Sequence, residues 1–142
     1  MNSQKFITGT LAGGIAYFLL GYLVYGLVLA SFFGQHSVAP AGSMKAMNEI
    51  VWWALILGNI AGGALLTYIF LKIGNINSFG SGASVGAGIG FFMGLSMDLI
   101  RYGTENAFDM TAMVVDVIAG VVMTAIAGGV VGIVLGRGAK KA

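Results

Sequence analysis

The chain has 142 residues, of which 58% are hydrophobic and 8% charged, and its mean hydropathy is +0.93. So little polar surface cannot cover a water-facing globule, and the composition predicts a single domain, residues 1–142, whose solvent is the lipid bilayer. A net charge of +2 argues against nucleic acid as a partner, and the absence of cysteine excludes disulfides, thiolate catalysis and zinc–thiolate sites.

Four apolar stretches are long enough to cross a hydrocarbon core of about 30 Å at 1.5 Å per residue. They lie near Phe6–Phe33, Ile50–Ile73, Phe79–Tyr102 and Met110–Leu135. The first is too long for a signal peptide and no small-residue cleavage site follows it, so it is expected to be a retained helix. Between the first two spans, Pro40-Ala41-Gly42 signals a turn, and Ser43 is placed to cap a helical lead-in, Met44–Glu49, running into the second span. The connections Gly74–Ser78 and Gly103–Asp109 are short, which favours antiparallel neighbours and an all-α, up-down-up-down bundle of four transmembrane helices.

Lys5, Lys72, Arg137, Lys140 and Lys141 fall on one side of this bundle, and Lys45 and Arg101 on the other. The positive-inside rule therefore predicts cytoplasmic N- and C-termini. Every acid (Glu49, Asp98, Glu105, Asp109 and Asp116) then sits at or towards the outer side, where Tyr25, Trp52, Trp53 and Tyr102 form the expected aromatic belt.

The third and fourth spans carry rows of small residues. Gly82, Gly86, Gly90 and Gly94 recur every fourth position, and the next step is Asp98; the fourth span reads Asp116, Gly120, Thr124, Gly128, Gly132, Gly136. Residues four apart follow one slowly spiralling row of a helix, so each row is a face almost without side chains. Lipid tails are as apolar as leucine, so such faces associate by close backbone contact. Packing explains the rows better than a solute path, for which only Thr124 and the two aspartates supply polar groups.

A tandem two-helix repeat is visible, with units 6–73 and 79–136. Gly14-Ile15-Ala16-Tyr17-Phe18-Leu19 echoes Gly88-Ile89-Gly90-Phe91-Phe92-Met93, and Ile60-Ala61-Gly62-Gly63 echoes Ile126-Ala127-Gly128-Gly129. The first unit has a weaker row (Gly9, Gly13, Tyr17, Gly21, Tyr25) that ends on a tyrosine roughly where the second has Asp98.

A carboxylate inside a span costs about 2.5–3.5 kcal/mol on insertion scales, so Asp98 and Asp116 need a partner or water. Arg101 lies one turn from Asp98 on the same face; Asp116 has no partner within a turn and is expected to meet Asp98 or Arg101 across the seam. Two acids around one base either form a structural polar network or hold a proton or a cation. Asn59, in the middle of the second span, is expected to hydrogen-bond across a helix interface. The pairs Met44/Met47, Met93/Met97 and Met110/Met113, with His36, are the residue types of a copper(I) site, but methionine at this spacing is more often packing, and no metal or other cofactor is assigned. No histidine lies in a span and no serine or threonine adjoins an evident base, and Gly86-Ala87-Gly88-Ile89-Gly90 lacks the strand a nucleotide loop needs; the chain does not read as an enzyme.

Gly13-Gly14-Ile15-Ala16-Tyr17-Phe18-Leu19-Leu20-Gly21, followed by Tyr25-Gly26 and by Asp116 in the last span, resembles the small four-helix bacterial integral membrane proteins grouped as domains of unknown function. That resemblance implies the bacterial inner membrane and supplies no activity. The threonine-rich motif of the small four-helix fluoride channels has no counterpart here. Two functional readings follow: a non-enzymatic accessory or self-associating component of a membrane complex, or a small proton- or cation-linked transporter or channel using Asp98 and Asp116 with Arg101 as counter-ion.

Overall fold

A computed structural model of the chain describes residues 2–39 and 45–137. The Pro40-Ala41-Gly42 turn, Ser43, Met44 and the lysines 140 and 141 lie outside the described residues.

The described residues are helical, with no strand: α1 (Ser3–Gly21) continuing into a π-helical stretch (Tyr22–Val28), α2 (Ala30–His36), a short 3-10 turn (Met47–Glu49), α3 (Trp52–Ile73), α4 (Phe79–Thr104) and α5 (Met110–Arg137). Four of these segments are long and apolar enough to cross a membrane: Ser3–Val28, α3, α4 and α5. Local chemistry sets their ends. The Asn2 side chain accepts from Lys5 N, Ser78 Oγ from Ser81 N, and Asp109 Oδ1 from Ala112 N at 2.8 Å, each satisfying an orphan donor of a helix N-terminus. Gly74 (φ +73°) and Asn75 (φ +59°) adopt positive φ to turn the chain sharply from α3 towards α4.

Two elements differ from the sequence expectation. The first apolar run does not continue as one helix to Phe33: Leu29 N donates to Val24 O at 2.7 Å, a five-residue step, and Leu29 leaves helical geometry (φ −103°, ψ 3°) before α2 begins. Hydropathy is blind to that change of pitch, because the residues on both sides are equally apolar. The lead-in to the second span also fails to join it. Only Met47–Glu49 is helical, as a 3-10 turn, and Ile50 is extended (φ −62°, ψ 127°) before α3 starts at Trp52.

α1 packs on both α3 and α5, α3 also touches α5, and α4 packs on α5. Approaches between neighbours reverse in register. Gly9 meets Thr67 and Gly13 meets Gly63, while Gly82 meets Gly128 and Gly132, Gly86 meets Thr124, and Gly94 faces Val117. Both echoing segments of the repeat, at Gly62-Gly63 and Gly128-Gly129, lie on the seam of their own helix pair. The first-half row explains how α1 serves two neighbours. Each four-residue step advances about 40° around a helix of 3.6 residues per turn. Gly9 accordingly faces α3, Gly13 touches both Gly63 of α3 and Val131 of α5, and Gly21 faces Met123 of α5.

The buried cluster is Leu66 and Phe70 of α3 with Ala127, Val131 and Leu135 of α5, filled in by Ala16, Tyr17 and Leu20 of α1. Large apolar side chains otherwise point outwards, Trp53 at 70% and Phe92 at 72% exposure among them. That distribution suits a lipid solvent and would be costly in water.

Candidate functional site

The α4–α5 seam is closed at one end and open at the other. A side chain on Gly82 or Gly86 would collide with the backbone carbonyls of Gly128 and Thr124. At Gly90 a methyl group would stand 2.8 Å from Thr124 Cβ, and at Gly94 the nearest atom is Val117 Cα at 3.8 Å. The next step along the row is Asp98, and there the helices have separated enough to hold side chains.

Asp98 and Asp116 come together in that opening. Both line a small cavity with Arg101, Glu105, Phe108 and Met113. The Asp98 side chain is 11% exposed and that of Arg101 41%. Arg101 is shared: Nη1 lies 4.0 Å from Asp98 Oδ1, Nε lies 3.5 Å from Glu105 Oε2, and the guanidinium sits 5.4 Å from the centroid of the Phe108 ring. Both ion pairs are at long range and partly wet, so neither is a strong structural tie.

Asp116 takes a partner that the sequence reading did not assign. Tyr25 Oη donates to Asp116 Oδ1 at 2.5 Å, from the π-helical continuation of α1. No other donor among the described residues reaches Asp116, and Arg101 does not pair with it within 4.0 Å. The signal for Tyr25 was present in the sequence: it is the last step of the Gly9-Gly13-Tyr17-Gly21 row, which rotates onto α5. It was assigned instead to the interfacial aromatic belt.

Above this cluster the chain builds a roof. Val38 N donates to Ala107 O at 3.0 Å and Asp109 N to His36 O at 3.3 Å, tying the end of α2 to the α4–α5 connection. Phe33 lies 5.7 Å from both the Tyr25 and the Phe108 ring centroids. Beneath it is a second cavity, of about 570 Å³, lined by Tyr25, Phe33, Ser37, Arg101, Phe108 and Asp116. Phe33 and Phe108 had no place in the sequence-derived site, because apolar residues beside an apolar span carry no local mark of a cavity.

The other sequence-derived positions divide. Gly128 and Gly132 lie against Gly82 with no room for a side chain, as the row predicts. Gly120 does not belong to that contact: its carbonyl approaches Gly90, but a methyl on Gly120 itself would meet nothing within 4 Å. The periodicity placed it in the row, but its free hydrogen points away from α4. Asn59 is also corrected. Its Nδ2 donates to Leu55 O at 2.7 Å, one turn back in its own helix, in place of a bond across an interface. Met93, Met97 and Met110 are exposed, and Met113 lines the small cavity. Among the described residues no group of three His, Cys, Asp or Glu side chains is arranged to hold a metal ion.

Comparison of the chain with protein-family models, with curated proteins and with solved structures finds no match.

Proposed function

We propose that the chain is a non-enzymatic, multi-pass protein of a bacterial inner membrane, an up-down-up-down bundle with cytoplasmic termini that works by association, with itself or within a larger membrane complex. One observation carries this reading. α4 packs on α5 through Gly82, Gly86 and Gly90, and a second row at the same spacing, Gly80, Ser84 and Gly88, is exposed; a methyl group at Gly80 or Gly88 would meet nothing within 4 Å. Bare helix faces are what membrane helices use to dock, and this one has no partner among the described residues. The orientation is supported by Lys5, which lines a cavity with Asn75, Asn77 and Leu135 at the end opposite the acids. A pull-down in mild detergent from the native membrane tests association. Stoichiometric recovery of a partner or of further copies, lost in Gly88→Leu, is expected. A lone chain in both samples would overturn the reading.

A second reading is favoured by the gathering of Tyr25, Asp98, Arg101 and Asp116 around one opening of the bundle. In this reading the protein moves protons or cations, with Asp98 and Asp116 as the exchanging groups and Arg101 as their counter-ion. The glycine seam beyond Gly90 leaves no passage, so α4 would have to move on α5 during transport. Asp116→Asn should abolish flux in proteoliposomes while the protein still inserts; unchanged flux removes this reading.

A further inference from the structure

We propose that the cavity of about 570 Å³ beneath the α2 roof is a binding site for an organic monocation, an ammonium or similar head on a compact apolar body, with Asp116 as its counter-charge and Tyr25, Phe33 and Phe108 as its aromatic walls. The site shares Asp116 with the transport reading but requires no transport, and binding is measured without flux, so either idea can fail alone.

Size, charge and order point to this ligand class. The volume lies within the roughly 300–1,000 Å³ typical of small-molecule sites, far larger than a bare metal ion needs, and no described trio of ligating side chains is present for such an ion. Asp116 and Arg101 line this cavity and also the small one beside it, where Asp98 and Glu105 join them, so three acids to one guanidinium surround the shared Asp116. Arg101 also lines the cavity, but Asp98 and Glu105 at 4.0 and 3.5 Å offset its charge, so it does not make the site favour an anion. Among the described residues the one hydrogen-bond donor to Asp116 is the Tyr25 hydroxyl, on Oδ1, and no cationic side chain pairs with its carboxylate. Aromatic rings add attraction for a cation and contact for its apolar body. The walls are also fixed in advance. Tyr25 is held by Asp116, Phe33 sits against Tyr25 and Phe108, and two backbone hydrogen bonds tie the roof to the α4–α5 connection. Little ordering remains for the ligand to impose.

The full chain in nanodiscs of zwitterionic phosphatidylcholine is titrated calorimetrically with phenyltrimethylammonium, and empty nanodiscs are subtracted. Saturable binding at one site per chain is expected. Asp116→Asn should weaken it at least tenfold, while Lys5→Gln, at the far end, should leave it unchanged. Gly34 also lines the cavity and a Cβ there would meet nothing within 4 Å, so Gly34→Phe adds bulk at the cavity wall without altering charge and should weaken binding. Circular dichroism melting checks that each variant is folded. Four results would overturn the proposal: no saturable binding, unaltered binding in Asp116→Asn or Gly34→Phe, equal binding of neutral tert-butylbenzene, or preferential binding of benzenesulfonate. Stoichiometric displacement by sodium or calcium would overturn it in favour of an inorganic cation.

Discussion

The two ends of the α4–α5 seam are built from one four-residue row and behave in opposite ways. At the Gly82–Gly132 end the backbones touch and no side chain fits; at the Asp98–Asp116 end the helices part, and a carboxylate pair, a tyrosine and an arginine occupy the gap. Tight packing at one end fixes where the polar groups at the other must sit, since a helix pair clamped over three turns cannot readily slide. The glycines are therefore the scaffold and the acids the addressable chemistry, although both belong to the same periodic pattern.

The largest expected effect breaks the closed end. A methyl group on Gly128 would stand 2.5 Å from the Gly82 carbonyl oxygen and 3.2 Å from Phe70 Cζ. Gly128→Val adds further volume where both obstacles are backbone or fully buried, so it should cost about 3 kcal/mol, the upper part of the range for overpacking. Reversible unfolding in SDS measures the loss, and cysteine cross-linking between positions 94 and 117 should show the open end losing its register as well. Wild-type stability in Gly128→Val would mean that the helices are not in this contact.

A smaller effect is expected at the open end. Tyr25→Phe leaves Asp116 without its one described donor; an unsatisfied buried group costs about 1–3 kcal/mol, and the 40% exposure of Tyr25 puts the expectation near 1 kcal/mol. Asp116→Asn keeps an acceptor oxygen for the Tyr25 hydroxyl and should cost less. In a double-mutant cycle of Tyr25→Phe with Asp116→Ala, the two losses should fall short of additive by most of that 1 kcal/mol. Full additivity would show that the hydrogen bond contributes nothing to stability.

Much of the helical layout was legible in the sequence because long apolar runs bounded by polar and glycine-bearing connections mark helices. Runs of this length are too long for strands and carry no proline, and α3, α4 and α5 begin and end within two residues of the runs that announced them. That Asp98 and Asp116 would face one opening was legible too, since two acids at the same end of two glycine rows are brought to one place wherever those rows meet. What the sequence hid has a common physical origin. The π-helical turn at Tyr22–Val28, the inward rotation of Tyr25 and the roof made by Phe33 and Phe108 depend on backbone pitch and on contacts across 75 or more positions, neither of which leaves a trace in local hydropathy. Asn59 erred in the other direction: an amide at mid-span suggests a distant partner, but a carbonyl one turn back was within reach.

Gly120 gives the smallest effect and the sharpest test of which small residues the seam needs. It keeps the spacing of the row, yet the space where its side chain would stand is open, whereas a methyl on Gly90, directly across the seam, would come within 3.0 Å of both the Gly120 carbonyl and Thr124 Oγ1. Gly120→Ala should therefore be neutral or stabilising by up to about 1 kcal/mol, the ordinary gain of alanine over glycine within a helix. Gly90→Ala should be destabilising, because the carbonyl it approaches is backbone and cannot move aside. SDS unfolding of the two variants side by side reads the sign directly. Opposite signs mean that α5 presents its carbonyl edge to α4 at this depth; a loss in both would mean that Gly120 faces α4 and that the seam stays closed one turn further towards Asp116.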